Sequence, residues 1–145
     1  MGNAKHKFLA VLFLVSLLSS AILVFNDLKP LPLICDVNEG CNVVKNSPYN
    51  TIFFGIPNED IGLAFFLVLF VLTLMQLKKP NKTKEKLITM GVFGSFIFAL
   101  YSLYLQKFII GAYCKYCTTM DISIILSLIV LFYFEKGKIF SVFRK

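Results

Sequence analysis

The sequence predicts an all-α integral membrane protein: a four-transmembrane-helix bundle with an extracytoplasmic cap loop. Its composition, four apolar runs and the alternation of its basic clusters carry that reading. Of 145 residues, 57% are hydrophobic and only 16% charged, whereas a soluble domain has about a quarter of its residues charged. The apolar residues gather over about 8–25, 61–77, 87–105 and 118–134. Each run approaches the roughly 17–25 residues that a helix needs to cross a bilayer. With no water in the hydrocarbon to satisfy the backbone, each must be helical. Residues 1–145 are read as a single membrane domain.

The first run, Phe8–Phe25, follows Lys5, His6 and Lys7, as a signal peptide core would, and Ser19-Ser20-Ala21 could serve as a cleavage site. Its 18 uncharged residues exceed the roughly 7–15 of a signal core, so a retained span is favoured. The segment 26–60 is too long for idle linkage. Leu31, Leu33, Ile34, Val43, Val44, Tyr49, Ile52, Phe53 and Phe54 make it apolar, and Gly40, Pro48, Gly55 and Pro57 limit any helix to one or two turns. It reads as a folded cap over one mouth of the bundle. After the second run, Lys78–Lys86 reads as a solvated cationic turn. After the third, Gln106–Tyr113 reads as a surface connection leading into the fourth.

Basic residues set the orientation. Lys5, Lys7, Lys78, Lys79, Lys82, Lys84, Lys86, Lys136, Lys138, Arg144 and Lys145, eleven of the fifteen Lys and Arg, flank alternate ends of the runs. The positive-inside rule then puts both termini in the cytoplasm. The expected location is the inner or plasma membrane, or the endoplasmic reticulum membrane in a eukaryote. Anionic lipid headgroups are the natural partner of this charge. No basic, aromatic-interleaved soluble surface exists for nucleic acid.

All four cysteines fall on the opposite, extracytoplasmic side, where disulfides persist. Cys35 and Cys41 lie in the cap, and Cys114 and Cys117 form a C-x-x-C at the head of the fourth run. Two dithiols on one face suit a relay of electrons by disulfide exchange. A helix N-terminus and Lys115 between the sulfurs would both stabilise a thiolate in the second pair. Static bridges are the alternative, most naturally for Cys35–Cys41, where a short loop gains little from closure. Four-thiolate zinc typically uses two knuckles of x2–4 spacing; one spacing here is five residues, so no metal is expected.

The string Cys35-Asp36-Val37-Asn38-Glu39-Gly40-Cys41-Asn42-Val43-Val44-Lys45-Asn46-Ser47-Pro48-Tyr49, then Phe54-Gly55-Ile56-Pro57-Asn58 and Gly62-Leu63, then Tyr113-Cys114-Lys115-Tyr116-Cys117-Thr118-Thr119, resembles the vitamin K epoxide reductase family. The likeness is to its small prokaryotic-type members without a fused thioredoxin-like domain. The DsbB type of quinone-linked disulfide generator carries its two pairs in the reverse order. The resemblance implies a quinone-dependent thiol–disulfide oxidoreductase. It would take electrons from a separate thioredoxin-fold (DsbA-like) protein and pass them to ubiquinone, menaquinone or vitamin K, supporting disulfide formation in extracytoplasmic proteins.

By the same resemblance Cys35 would exchange with the partner, Cys41 would pass electrons inward and Cys114 would receive them. Cys117 would reduce the quinone, with a transient adduct as one route. Ser47 matches a serine near the family's active site, and a local turn hydrogen bond is its other reading. Asn58 matches an asparagine that hydrogen-bonds a quinone carbonyl, with helix N-capping as its other reading. Where vitamin K-reducing relatives carry a tyrosine, four residues after the last cysteine, this chain has Asp121. That carboxyl could relay protons to the quinone or, with Thr118, cap the helix. A vitamin K epoxide or quinone reductase, and a non-catalytic protein with structural disulfides, are the competing functions.

Overall fold

The architecture comes from a computed structural model that describes residues 2–29, 40–51 and 55–134, with side chains from residue 4 onward. It is all-helical: α1 (Gly2–Leu28), a short α2 (Gly40–Lys45), α3 (Asn58–Lys78), α4 (Lys82–Tyr104) and α5 (Lys115–Phe134). Without interruption α4 continues into a π-helical turn, Leu105–Ile110. Among the described residues four helices are long and apolar enough to cross a membrane, and the chain is a multi-pass membrane protein. Cys35 and the cap residues 30–39 and 52–54 lie outside the described residues.

Each long helix overruns the apolar run that predicts it, because polar and charged residues at the ends still form good helical turns. The connection between α3 and α4 is consequently shorter than Lys78–Lys86. Only residues 79–81 lie outside the helices, and Lys82–Lys86 form the first turns of α4. Asn81 caps α4 by accepting from the Thr83 N–H at 3.0 Å, and the buried Gln76 side chain accepts from the Asn81 N–H at 2.9 Å. Near this end, buried Lys5 pairs with Glu85 at 2.6 Å.

α1 packs on α3 and α5, and α4 on α5. Leu9, Phe13, Ile88, Val92, Ile124 and Leu131 are almost wholly buried in the centre, so the first apolar run is a structural member of the bundle. Large apolar side chains cover the outside, among them Phe8, Val11, Ile97, Phe108 and Ile129, as lipid contact requires. The interior instead contains Ser16, Ser20, Thr73, Thr89, Ser123 and Ser127. Small residues of this kind let helices approach closely where lipid removes the usual hydrophobic drive. Thr73, Thr89, Ser123 and Ser127 return their hydroxyl protons to the carbonyl four residues back.

At the other end, α2, the start of α3, the π-helical turn and the start of α5 gather around the end of α1. Lys45 of α2 pairs with Asp27 of α1. An isolated bridge joins Thr51 to Pro57, and the Asn58 N–H donates to the Asn50 carbonyl at 2.8 Å. These contacts lay the described part of the cap across the bundle mouth.

Candidate functional site

Two cysteines distant in sequence meet at this mouth. Cys41 Sγ lies 3.3 Å from Cys114 Sγ, with both side chains buried. The approach depends on Gly40. A Cβ there would fall 2.2 Å from the Tyr113 carbonyl oxygen and 2.8 Å from its carbon. Only a hydrogen at that position lets the α2 backbone lie on the loop before α5, which brings the next residue of each segment into sulfur–sulfur contact. Leu23, Val44, Ile110 and Ala112 pack around the pair.

Cys114 immediately precedes α5 and acts as its cap. Its carbonyl accepts from the Thr118 N–H at 2.9 Å, and its sulfur accepts from the Cys117 N–H at 3.3 Å. The second bond is the one an aspartate or serine makes at this position, accepted here by a sulfur. The Cys114 thiol is lowered from 9.0 to about 6, first by the hydrogen bond from the Cys117 side chain. The Cys117 N–H and the Cys41 side chain add to this, while burial opposes it. Cys114 and Cys117 are free cysteines, and closing them to a disulfide would release two electrons and two protons to an acceptor.

Behind Cys117 opens a cavity of about 390 Å³. Phe65, Phe66, Phe98 and Ile124 line it with apolar surface, while Cys117, Asp121, Ser102 and Asn58 supply polar groups. A volume in the range of roughly 300–1,000 Å³, with an apolar wall and few polar groups, is what a small-molecule site has. A quinone ring fits that description: flat, apolar on its faces and able to accept hydrogen bonds at two carbonyls. The sulfur of Cys117 and the carboxyl of Asp121 stand one helical turn apart on the wall such a ring would meet.

The candidate quinone residues separate here. Asp121 and Asn58 line the cavity; Ser47 lines a neighbouring chamber of about 30 Å³ instead. The Ser47 hydroxyl donates to the Val44 carbonyl at 2.7 Å, the local turn bond that was its other reading. Asn58 begins α3 and donates to the Tyr49 carbonyl at 3.2 Å, while its side-chain oxygen is buried without a hydrogen-bond partner. Asp121 does not cap its helix. α5 begins at Lys115, one turn earlier than the Thr118 cap requires, so Asp121 falls in the second turn. It is 7% exposed and hydrogen-bonded to Ser102.

Gln106 is the residue that sequence reasoning misses. The expected surface connection Gln106–Tyr113 is instead helical to Ile110, and Gln106 is 1% exposed. Gly111 ends the turn at φ 69°, a left-handed conformation that glycine adopts without penalty. Phe108, Ile109 and Ile110 resume the apolar pattern after Gln106 and Lys107, and that was the available signal. Among the described residues no cluster of side chains could hold a metal ion.

This geometry accords with the chain's kinship. The family model described as Vitamin K epoxide reductase family matches residues 7–132, and the chain belongs to that family. Membership implies quinone-linked thiol–disulfide oxidoreductase activity with thioredoxin-like redox partners. No solved structure matches the chain.

Proposed function

We propose that this protein oxidises a separate thioredoxin-fold protein on the extracytoplasmic side and delivers the electrons to a membrane quinone. The partner's dithiol would reduce a Cys35–Cys41 disulfide through a mixed disulfide at Cys35. The Cys41 thiolate would then attack Cys114, breaking the Cys114–Cys117 bond, and Cys35 would attack Cys41 to release Cys114 and restore Cys35–Cys41. Finally the Cys114 and Cys117 thiols close to a disulfide, giving two electrons and, in sum, two protons to the quinone. Asp121 relays a proton to the ring from the cavity wall.

The contact of Cys41 with Cys114 at 3.3 Å carries the reading, because static bridges within each pair need no contact between pairs. Thiol exchange requires an attacking sulfur beside the disulfide it breaks. The cation asymmetry supports the orientation, with both termini cytoplasmic and the cysteines outside. The test uses two variants. Cys35→Ala should block oxidation of a thioredoxin-fold partner yet leave part of the quinone reduction driven by a small dithiol. Cys117→Ala should abolish both. Equal loss from every cysteine substitution would count against this order of transfer.

A further inference from the structure

We propose that Gln106 is a positioning residue joining the two halves of the reaction: one end of its carboxamide fixes Cys114 for exchange with Cys41, and the other holds Asp121 on the cavity wall. The inference rests on the relay proposed above and deepens it.

The carboxamide uses all its hydrogen-bonding capacity within the protein. Its oxygen accepts from the Cys114 N–H at 3.1 Å and the Thr118 hydroxyl at 3.4 Å. Its nitrogen donates to Ser102 Oγ at 3.2 Å and Asp121 Oδ2 at 3.5 Å. The orientation is unambiguous: a backbone N–H can only donate, so the oxygen must face Cys114 and the NH₂ must face the carboxyl. Two acceptor and two donor bonds satisfy a primary amide in full. At 1% exposure no solvent could replace them.

The placement is local to the π-helical turn, a feature that changes which side chains face inward over one turn and that recurs at functional sites. Gln106 therefore touches the backbone of the cysteine that accepts electrons and the acid beside the cysteine that passes them on. Packing alone does not call for this residue, since leucine fills a similar volume with no polar group to satisfy. Its distinguishing property is two chemically opposite ends, each bonded to a different half-reaction.

The two ends can be tested separately in the purified full-length protein. Gln106→Glu keeps an oxygen for Cys114 but sets a second acceptor against Asp121 and Ser102. Gln106→Leu removes both ends. Exchange between the cysteine pairs is followed by trapping with a thiol-reactive mass tag. Quinone reduction by the reduced protein is followed by absorbance with a short-tailed benzoquinone and a short-tailed naphthoquinone. The Leu variant should slow both steps by about tenfold or more, as expected when buried polar groups lose their partner. The Glu variant should slow quinone reduction by about tenfold or more while exchange stays within about threefold, less than one such lost bond. Thermal unfolding checks both variants, and near-isosteric Glu decides the matter where Leu does not fold. Equal loss of both steps in the Glu variant, or loss of neither, overturns the proposal. An unsubstituted protein that reduces neither quinone would instead overturn the relay beneath it.

Discussion

Gly40→Ala adds one methyl group between the immediate neighbours of the two sulfurs that must react. The new Cβ would sit 2.2 Å from the Tyr113 oxygen, 2.8 Å from its carbon and 2.9 Å from its nitrogen. All three are backbone atoms, so no side-chain rotation relieves the clash. An ordinary carbon–oxygen contact is about 3.3 Å or more, so the α2 backbone and the α5 loop must part by roughly 1 Å. Their sulfurs now stand at 3.3 Å and must close to about 2.05 Å to bond. A misplacement of about 1 Å costs on the order of a hundredfold in rate, or roughly 2.7 kcal/mol of barrier. Overpacking strain of about 1–3 kcal/mol is of the same size, so the variant will also melt earlier if the segments stay together. Single-turnover exchange between the pairs, quenched with acid and mass-tagged, separates the outcomes. A folded Gly40→Ala protein that exchanges within threefold of the parent rate would show that the contact between these segments does not set the reaction geometry.

Two further outcomes follow from the site. Because the Cys114 thiol is lowered to about 6, first by the Cys117 side chain, the reduced pair shares one proton between its sulfurs above that pH. The potential of the Cys114–Cys117 couple should therefore fall by about 59 mV per pH unit below pH 6 and by only about 30 mV above it; a break near pH 9.0, the unshifted thiol value, would refute the assignment. Asp121→Asn should slow quinone reduction by about a hundredfold or more, the usual contribution of a placed acid, while Cys41–Cys114 exchange continues. Loss of less than threefold would leave the carboxyl a structural group.

The parts of this molecule legible in its sequence are those governed by solvent. Four apolar runs had to become helices because lipid leaves the backbone no other partner, and four such helices are present among the described residues. The cysteine pairs were legible by type and spacing, whereas the meeting of Cys41 with Cys114 was expected only through the family resemblance. It depends on a single hydrogen at Gly40, which reads in the sequence only as a turn residue. Asp121 was found because it departs from a motif, but its other reading, a helix cap, depended on where α5 begins, and helix ends are weakly encoded.

Gln106 shows the limit most clearly. Nineteen uncharged residues, Leu87–Leu105, already satisfy a membrane crossing, so the first polar residue after them reads as the water surface. The helix instead widens through a π-helical turn, and that residue lies in the interior. Hydropathy averages over a turn and cannot register one polar group that is paired on every side. A buried polar residue costs little once its bonds are made, so it leaves only a faint trace in any sum of apolar surface. In a membrane bundle such residues are where proton and electron chemistry can be held, because nothing else inside offers both donors and acceptors. A short polar step at the edge of an apolar run, here Gln106-Lys107, followed by more apolar residues, is therefore the pattern to examine before the connection is assigned to solvent.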